Sequence, residues 1–295
     1  MRVKLAYLGV VLVWATTPLG IKWSGEGLSF VFGVTARMTI GALCLALLML
    51  LIRQRLAFHS AARWTYLAVT TQLYVGMIIT YWSAQFIPSG WLSVIFGLCP
   101  VMTAFLAANA LNEQSLGWQK LSAYFLGFCG LIVMFISAVE LSRQALMGIA
   151  GVLLSTFIQS ASAIWIKRIN AKLPALQQIS GGLLFSLPLY FLSWYWLDNG
   201  QIPTVISDKS LYAIIYLGTI ATTLGFIMYF FVLTHLPATK VALINLITPV
   251  FSLLLGCSIN QEPLTIKVAI GASLIIMALL ILQLAERHKV KSVKI

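Results

Sequence analysis

The sequence predicts an all-α membrane protein of ten transmembrane helices, built as a five-plus-five inverted-topology repeat. Three observations predict it. Of the 295 residues 60% are apolar and only 9% are charged, where a soluble domain carries roughly 25% charged residues. The charged residues gather between long apolar runs. Three landmarks also recur 149 positions apart: Pro88 with Pro237, Pro100 with Pro249, and Glu113 with Glu262.

These observations exclude several classes. A water-soluble enzyme needs a polar exterior that this composition cannot supply. A disordered chain would collapse around 16 Phe, 9 Trp and 10 Tyr. A β-barrel needs alternating segments of about 9–11 residues, whereas these runs are long and continuous. The net charge of +12 would suggest nucleic acid in a soluble protein. Here the basic residues form short clusters between apolar runs, as cytoplasmic loops do, and no nucleic-acid partner is expected. Cys44, Cys99, Cys129 and Cys257 sit inside apolar runs without CxxC or His neighbours and read as small core residues.

The spans follow from charge-free intervals and from the roughly 20 residues that a helix needs to cross the hydrocarbon core. The first, 5–22, follows Arg2 and Lys4. It lacks an A-x-A cleavage pattern and reads as a retained helix rather than a signal peptide. The second, 31–52, reaches its length only by extending back through Arg37. The interval 64–112 holds two spans, 64–86 and 91–111, parted by the turn signal Ile87-Pro88-Ser89-Gly90. The remaining spans are 119–138, 147–167, 177–197, 211–234, 239–259 and 265–284. With the N-terminus inside, 14 basic residues fall on cytoplasmic loops and only Lys22, Arg143, Lys209 and Lys267 fall outside. One span more or fewer would scramble that asymmetry.

Five spans per copy is an odd number, so the second copy enters the membrane from the opposite side. The expected units are residues 1–140, residues 141–286 and a basic cytoplasmic tail, 287–295. Inverted repeats are the architecture from which secondary transporters build alternating access around a midplane site.

Trp14 followed by Pro18, Ile21 and Lys22 in the first span resembles the EamA-type permeases of the drug/metabolite transporter superfamily. So does a proline in the middle of spans four and nine with a glutamate at the end of each. Asn112 and Gln261 stand before those glutamates where members often have a small residue such as Gly. The resemblance covers nearly the whole chain. It implies a ten-helix permease of the bacterial inner membrane, exporting amino acids or related metabolites; uptake is the alternative direction.

Candidate transport residues come from depth and chemistry. Pro100 and Pro249 lie near the bilayer centre, and each withholds a donor from the carbonyl four residues earlier, Phe96 and Asn245. Such groups are tolerated in lipid where protein, water or a cavity satisfies them, so the two kinks are expected to line a cavity or to serve packing alone. Arg37 is a basic residue inside a span, which costs on the order of 2.5–3.5 kcal/mol on insertion scales. Two roles fit it: a bidentate holder of a substrate carboxylate, or an outward-snorkelling side chain. Trp14 is mid-span, with Thr17 one turn outward, and is expected in the cavity wall or in helix packing. Tyr81 and Tyr229 take corresponding places in spans three and eight and are candidate gates or substrate contacts, with Gln85 one turn above Tyr81; a tyrosine hydroxyl placed near an interface is the structural alternative. Eight other tryptophans, Trp91 among them, sit near span ends as an interfacial belt does. Glu113 and Glu262 are each expected to begin the helix that follows and to stabilise its N-terminus, with Pro263 at a first helical position, or else to form gating salt bridges.

No HExxH, GxSxG, GxxxxGK or GxGxxG occurs, so no cofactor or metal is expected, and an enzyme is not. The spans carry no Asp or Glu at mid-membrane depth, where proton relays rest. Movement down the solute's own gradient, or exchange, is therefore expected. The expected partners are a small-molecule substrate and the bilayer, with the protein a monomer or homodimer. A lipid-modifying membrane enzyme is the runner-up class, but His59, His235 and His288 stand alone in loops. A receptor without flux is a third.

Overall fold

The computed structural model describes residues 2–110, 118–242, 244–262 and 264–292. These fold as helices, and no strand occurs among the described residues. In chain order they are α1 (Arg2–Ser24), α2 (Phe30–Leu51), α3 (Ser60–Thr70), α4 (Met77–Ala84), α5 (Ser89–Phe96), α6 (Cys99–Ala110), α7 (Trp118–Leu141) and α8 (Arg143–Ile169). There follow α9 (Ala175–Asp198), α10 (Asp208–Tyr216), α11 (Phe226–His235), α12 (Ala238–Ala242), α13 (Ile244–Asn260) and α14 (Ile266–Ser292). Two π-helical segments, π1 (Thr71–Gly76) and π2 (Leu217–Gly225), join α3 to α4 and α10 to α11 without a break.

Among the described residues, six helices are long and apolar enough to cross a membrane: Arg2–Ser24, Phe30–Leu51, Ser89–Ala107, Arg143–Ile169, Ala175–Asp198 and Asp208–His235. The 23 residues of α1 span about 34 Å at 1.5 Å per residue, enough for a hydrocarbon core of about 30 Å. Local chemistry sets the ends. The Ser29, Ser142 and Ser207 hydroxyls accept the N–H of Val31, Ala145 and Ser210 and cap α2, α8 and α10. Asn170 and Asn199 adopt left-handed conformations and close α8 and α9.

The outer surface carries large apolar side chains, including Leu43, Leu47, Phe105, Phe125, Leu192 and Trp196. In water such a face is an aggregation hazard; against lipid it is neutral. Inside, α1 packs against α5, α10, α11 and α13, α2 against α9 and π2, and α7 along α14. The Ser210 hydroxyl donates to the Trp23 carbonyl at 2.9 Å, so the rod from Asp208 to His235 starts at the face carrying Lys22 and ends at the opposite one. α1 begins at that opposite face, and α14 ends there.

Candidate functional site

A cavity of about 60 Å³ lies where helices from both halves of the chain meet. Trp14, Thr17, Pro18 and Ile21 of α1 form one wall, with Arg37 of α2 beside them. Met77 and Thr80 of α4, Ser93 and Phe96 of α5 and Cys99 of α6 continue it, and Gln159 of α8 and Thr248 of α13 close it. Pro18 cannot donate to the Trp14 carbonyl, which leaves a backbone acceptor in this wall.

The Trp14 ring sits 5.0 Å from Tyr229 and 5.9 Å from Phe226 of α11, centroid to centroid, inside an aromatic cluster. Tyr229 thus supports the wall from behind. Tyr81 accepts from Arg37 Nη1 at 3.4 Å. It also lines, with Ile21, Lys22 and Gln85, a second hollow of about 190 Å³ at the Lys22 face. Ile21 borders both hollows, so the Ile21–Tyr81–Arg37 group divides them. Gln85 is exposed and donates to the Trp82 carbonyl of its own helix. Thr17 donates to the Val13 carbonyl.

The prolines differ from each other. α5 ends at Phe96, and Pro100 is the second residue of α6 beyond the break at Gly97 and Leu98, where a missing N–H costs little. Pro249 instead sits inside the continuous α13. Both are buried, and their neighbours Cys99 and Thr248 face the cavity. Asn245 belongs to α13, but its side chain lies outside the described residues, as do Glu113 and Pro263 altogether.

Arg37 is 1% exposed, and its Nε donates to Thr222 Oγ1 of π2 at 2.9 Å. Two close approaches set this pair. A Cβ on Gly41 would stand 2.6 Å from Thr222 Cγ2, and one on Gly218 would stand 3.0 Å from the Arg37 carbonyl and 2.6 Å from Ile40 Cγ2. Only glycine lets α2 and π2 come that near. The other π segment also serves the cavity. The Gly76 carbonyl of π1 accepts from Thr80 (2.8 Å) and Ser155 (2.7 Å), and Ser155 accepts from Gln159 Nε2 (3.2 Å). π turns free carbonyls from the regular helical ladder, and hydroxyls occupy this one.

Hydrogen bonds join helices across the Lys22 face. Glu262 accepts the Ser89 and Gly90 N–H groups at 2.9 and 3.2 Å and Asn260 Nδ2 at 2.9 Å. Its carboxylate therefore caps α5. The expectation that it opens the last helix is corrected, since α14 starts only at Ile266. Lys22 Nζ donates to the Ala84 and Ile87 carbonyls at 2.9 and 3.0 Å. Trp23 donates to Asn260 at 2.9 Å, and Lys209 pairs with Glu26 at 2.8 Å. At the opposite face a recess of about 500 Å³ is lined by Lys167, Lys172, Gln178 and His235 among others.

Gln159 and Thr222 were not among the residues expected from the sequence, although Gln159 was visible as an amide inside an apolar run. Trp91, read as interfacial, is 1% exposed and packed in the core. Among the described residues no group of three His, Cys, Asp or Glu could hold a metal.

A multi-pass helical bundle around a small, largely apolar cavity with a few polar groups in its wall is the architecture of a membrane transporter, whose partners are a small-molecule substrate and the bilayer. The profile of the EamA-like transporter family matches residues 2–136 and again 146–284. The chain belongs to that family. It is similar to a protein of Bacillus subtilis (strain 168) named "Uncharacterized transporter YoaV", 22% identical over 93% of this chain and 94% of that one. An "Uncharacterized transporter" of Archaeoglobus fulgidus is 28% identical over 66% of this chain and 68% of its own length. A protein of solved crystal structure shares the fold, with a TM-score of 0.70 and 17% identity over 97% of this chain and 98% of that one.

Proposed function

We propose that the protein is an alternating-access permease of the bacterial inner membrane that exports amino acids or related small metabolites. Residues 1–140 and 141–286 are its two inverted halves, each crossing the membrane five times, and both termini and the tail 287–295 are cytoplasmic. The observation that carries the reading is the central cavity, to which helices on both sides of the proposed boundary contribute. Three further features support it. The family profile matches twice, once in each half. The π segments fall at Thr71–Gly76 and Leu217–Gly225, near the spacing of the proline landmarks. α1 begins and α14 ends at one face, as an even number of crossings requires.

A cavity of about 60 Å³ has room for a couple of waters at roughly 30 Å³ each. Loading a metabolite therefore requires the halves to part. The bonds of Lys22, Trp23 and Glu262 close the outer face in this conformation. Their release, with bending at the Gly97–Leu98 break and at Pro249, would open it.

Counterflow in liposomes tests the reading. Vesicles of purified protein preloaded with an unlabelled amino-acid mixture should accumulate external labelled amino acid transiently, and protein-free vesicles should not. Vesicles that fail to do so with every amino acid would sink the amino-acid reading. Trp14→Ala should raise the half-saturating concentration about tenfold through lost aromatic contact. Single cysteines placed at residues 3 and 290 in spheroplasts should both resist impermeant thiol reagents until the membrane is lysed; labelling of one in intact spheroplasts would contradict the orientation.

A further inference from the structure

Arg37 is a buried cation with no counter-ion among the described residues. The ion pair found there, Lys209 with Glu26, lies elsewhere, and Glu262 is engaged with the start of α5. The groups that meet the guanidinium among the described residues are the hydroxyls of Thr222 and Tyr81, and the Tyr81 ring lies 5.9 Å from its carbon. Of its five N–H donors, one on Nε and one on Nη1 are used, and the other three find no acceptor among the described residues. A structural arginine at such depth pairs with acid or backbone carbonyls. This one lines the cavity instead.

The cavity's lining matches that charge. Among the described residues it contains one cation and no carboxylate, with Trp14, Met77, Phe96 and Ile21 as apolar walls. Gln159 donates through Nε2 to Ser155, and its Oε1 takes no hydrogen bond among the described residues. Among the described residues the recess at the far face carries Lys172 and His235 and no acidic residue, which favours approach of anions.

We propose that Arg37 is the substrate anchor, so that transported solutes are carboxylates with an apolar body, held by two parallel N–H···O bonds from the unused edge of the guanidinium. Gln159 Oε1 is an acceptor for a substrate ammonium, which admits amino acids without requiring the amine. This rests on the permease reading and narrows it to one substrate class. Charge-assisted bonds to a buried guanidinium contribute about 1.5–3 kcal/mol each site, which converts to a loss of roughly tenfold to hundredfold when the carboxylate is neutralised.

The test uses two bodies in matched forms: L-phenylalanine, 3-phenylpropionate, L-phenylalaninamide and phenethylamine, and L-leucine, 4-methylpentanoate, L-leucinamide and isoamylamine. Binding to purified protein is read by thermal shift and flux by liposome counterflow. The acids should bind and move, and amides and amines should be at least tenfold weaker. In Arg37→Met that ratio should fall to about one, while the melting temperature holds or rises because an unpaired buried charge is gone. Arg37→Lys, which keeps the charge but not the planar fork, should recover part of the ratio. If Arg37→Met does not fold, the acid-to-amide ratio of the wild-type protein decides alone. Amides or amines as good as acids would overturn the proposal and leave a permease standing. No flux of any of the eight overturns the proposal; if the amino-acid mixture is not moved either, the amino-acid reading falls with it.

Discussion

Alanine in place of Glu262 is expected to unlatch the face that carries Lys22. The carboxylate closes the two leading N–H groups of α5, at Ser89 and Gly90, and is itself held by Asn260. Those N–H groups have no partner within their own helix, and the helix dipole favours a negative charge there. Losing both bonds removes about 2 kcal/mol from the latched conformation, a shift of roughly thirtyfold in the balance between closed and open. Cys99 lines the cavity and reports the change. In a protein with Cys44, Cys129 and Cys257 replaced by serine, a charged thiol reagent applied from the Lys22 face should modify Cys99 at least tenfold faster after Glu262→Ala. Glu262→Gln, which keeps one acceptor and loses the charge, should fall between. Equal rates in all three proteins would mean that this bond set does not guard the cavity.

The second large effect is expected at Gly218. A valine there puts a Cβ 2.6 Å from Ile40 Cγ2 and 3.0 Å from the backbone carbonyl of Arg37. A flexible side chain could move aside; a helix backbone can do so only by translating. α2 and π2 must separate, and the Arg37–Thr222 bond at 2.9 Å breaks with them. Overpacking of about 1–3 kcal/mol adds to a lost bond to a charged group of about 1.5–3 kcal/mol. Gly218→Val should therefore lower the melting temperature in detergent by about 5–10 °C and abolish counterflow. Gly25→Ala is the control. Its added methyl would come no nearer than 3.7 Å, to the Lys22 carbonyl, and both readouts should match the wild-type protein. A Gly218→Val protein as stable and active as that control would refute the close-approach argument.

The helical runs were legible because lipid leaves so few choices. A segment that crosses must be apolar for about 20 residues and satisfy its own backbone, so gaps in the charge pattern trace the rods. The turn at Ile87-Pro88-Ser89-Gly90 was readable for the same reason, and α5 starts at Ser89. Arg37 was legible as an anomaly of depth, but Thr222, its partner 185 residues away, was not, because nothing local ties one to the other. Glu262 misled by proximity. Short-range capping rules direct a carboxylate to the helix that follows, whereas the chain here carries it back to α5. Trp91 misled through position along its span, since burial depends on how near α13 comes. Gly90 admits that approach, as a Cβ there would meet Leu253 Cδ2 at 2.8 Å. The π segments left no mark in the residue pattern, because they differ from ordinary helix in pairing and not in composition.

Those two segments carry a consequence for chain length. A π turn accommodates one surplus residue in a rod that otherwise advances by 3.6 residues per turn. Deleting a single residue from 71–76 would therefore let the rod close to uniform pitch with α4 facing nearly as before, so Tyr81 would still meet Arg37. What would go is the freed Gly76 carbonyl that Thr80 and Ser155 share. Adding a residue to a regular turn of α3, where no widened turn absorbs it, would instead rotate everything after it by roughly 100°.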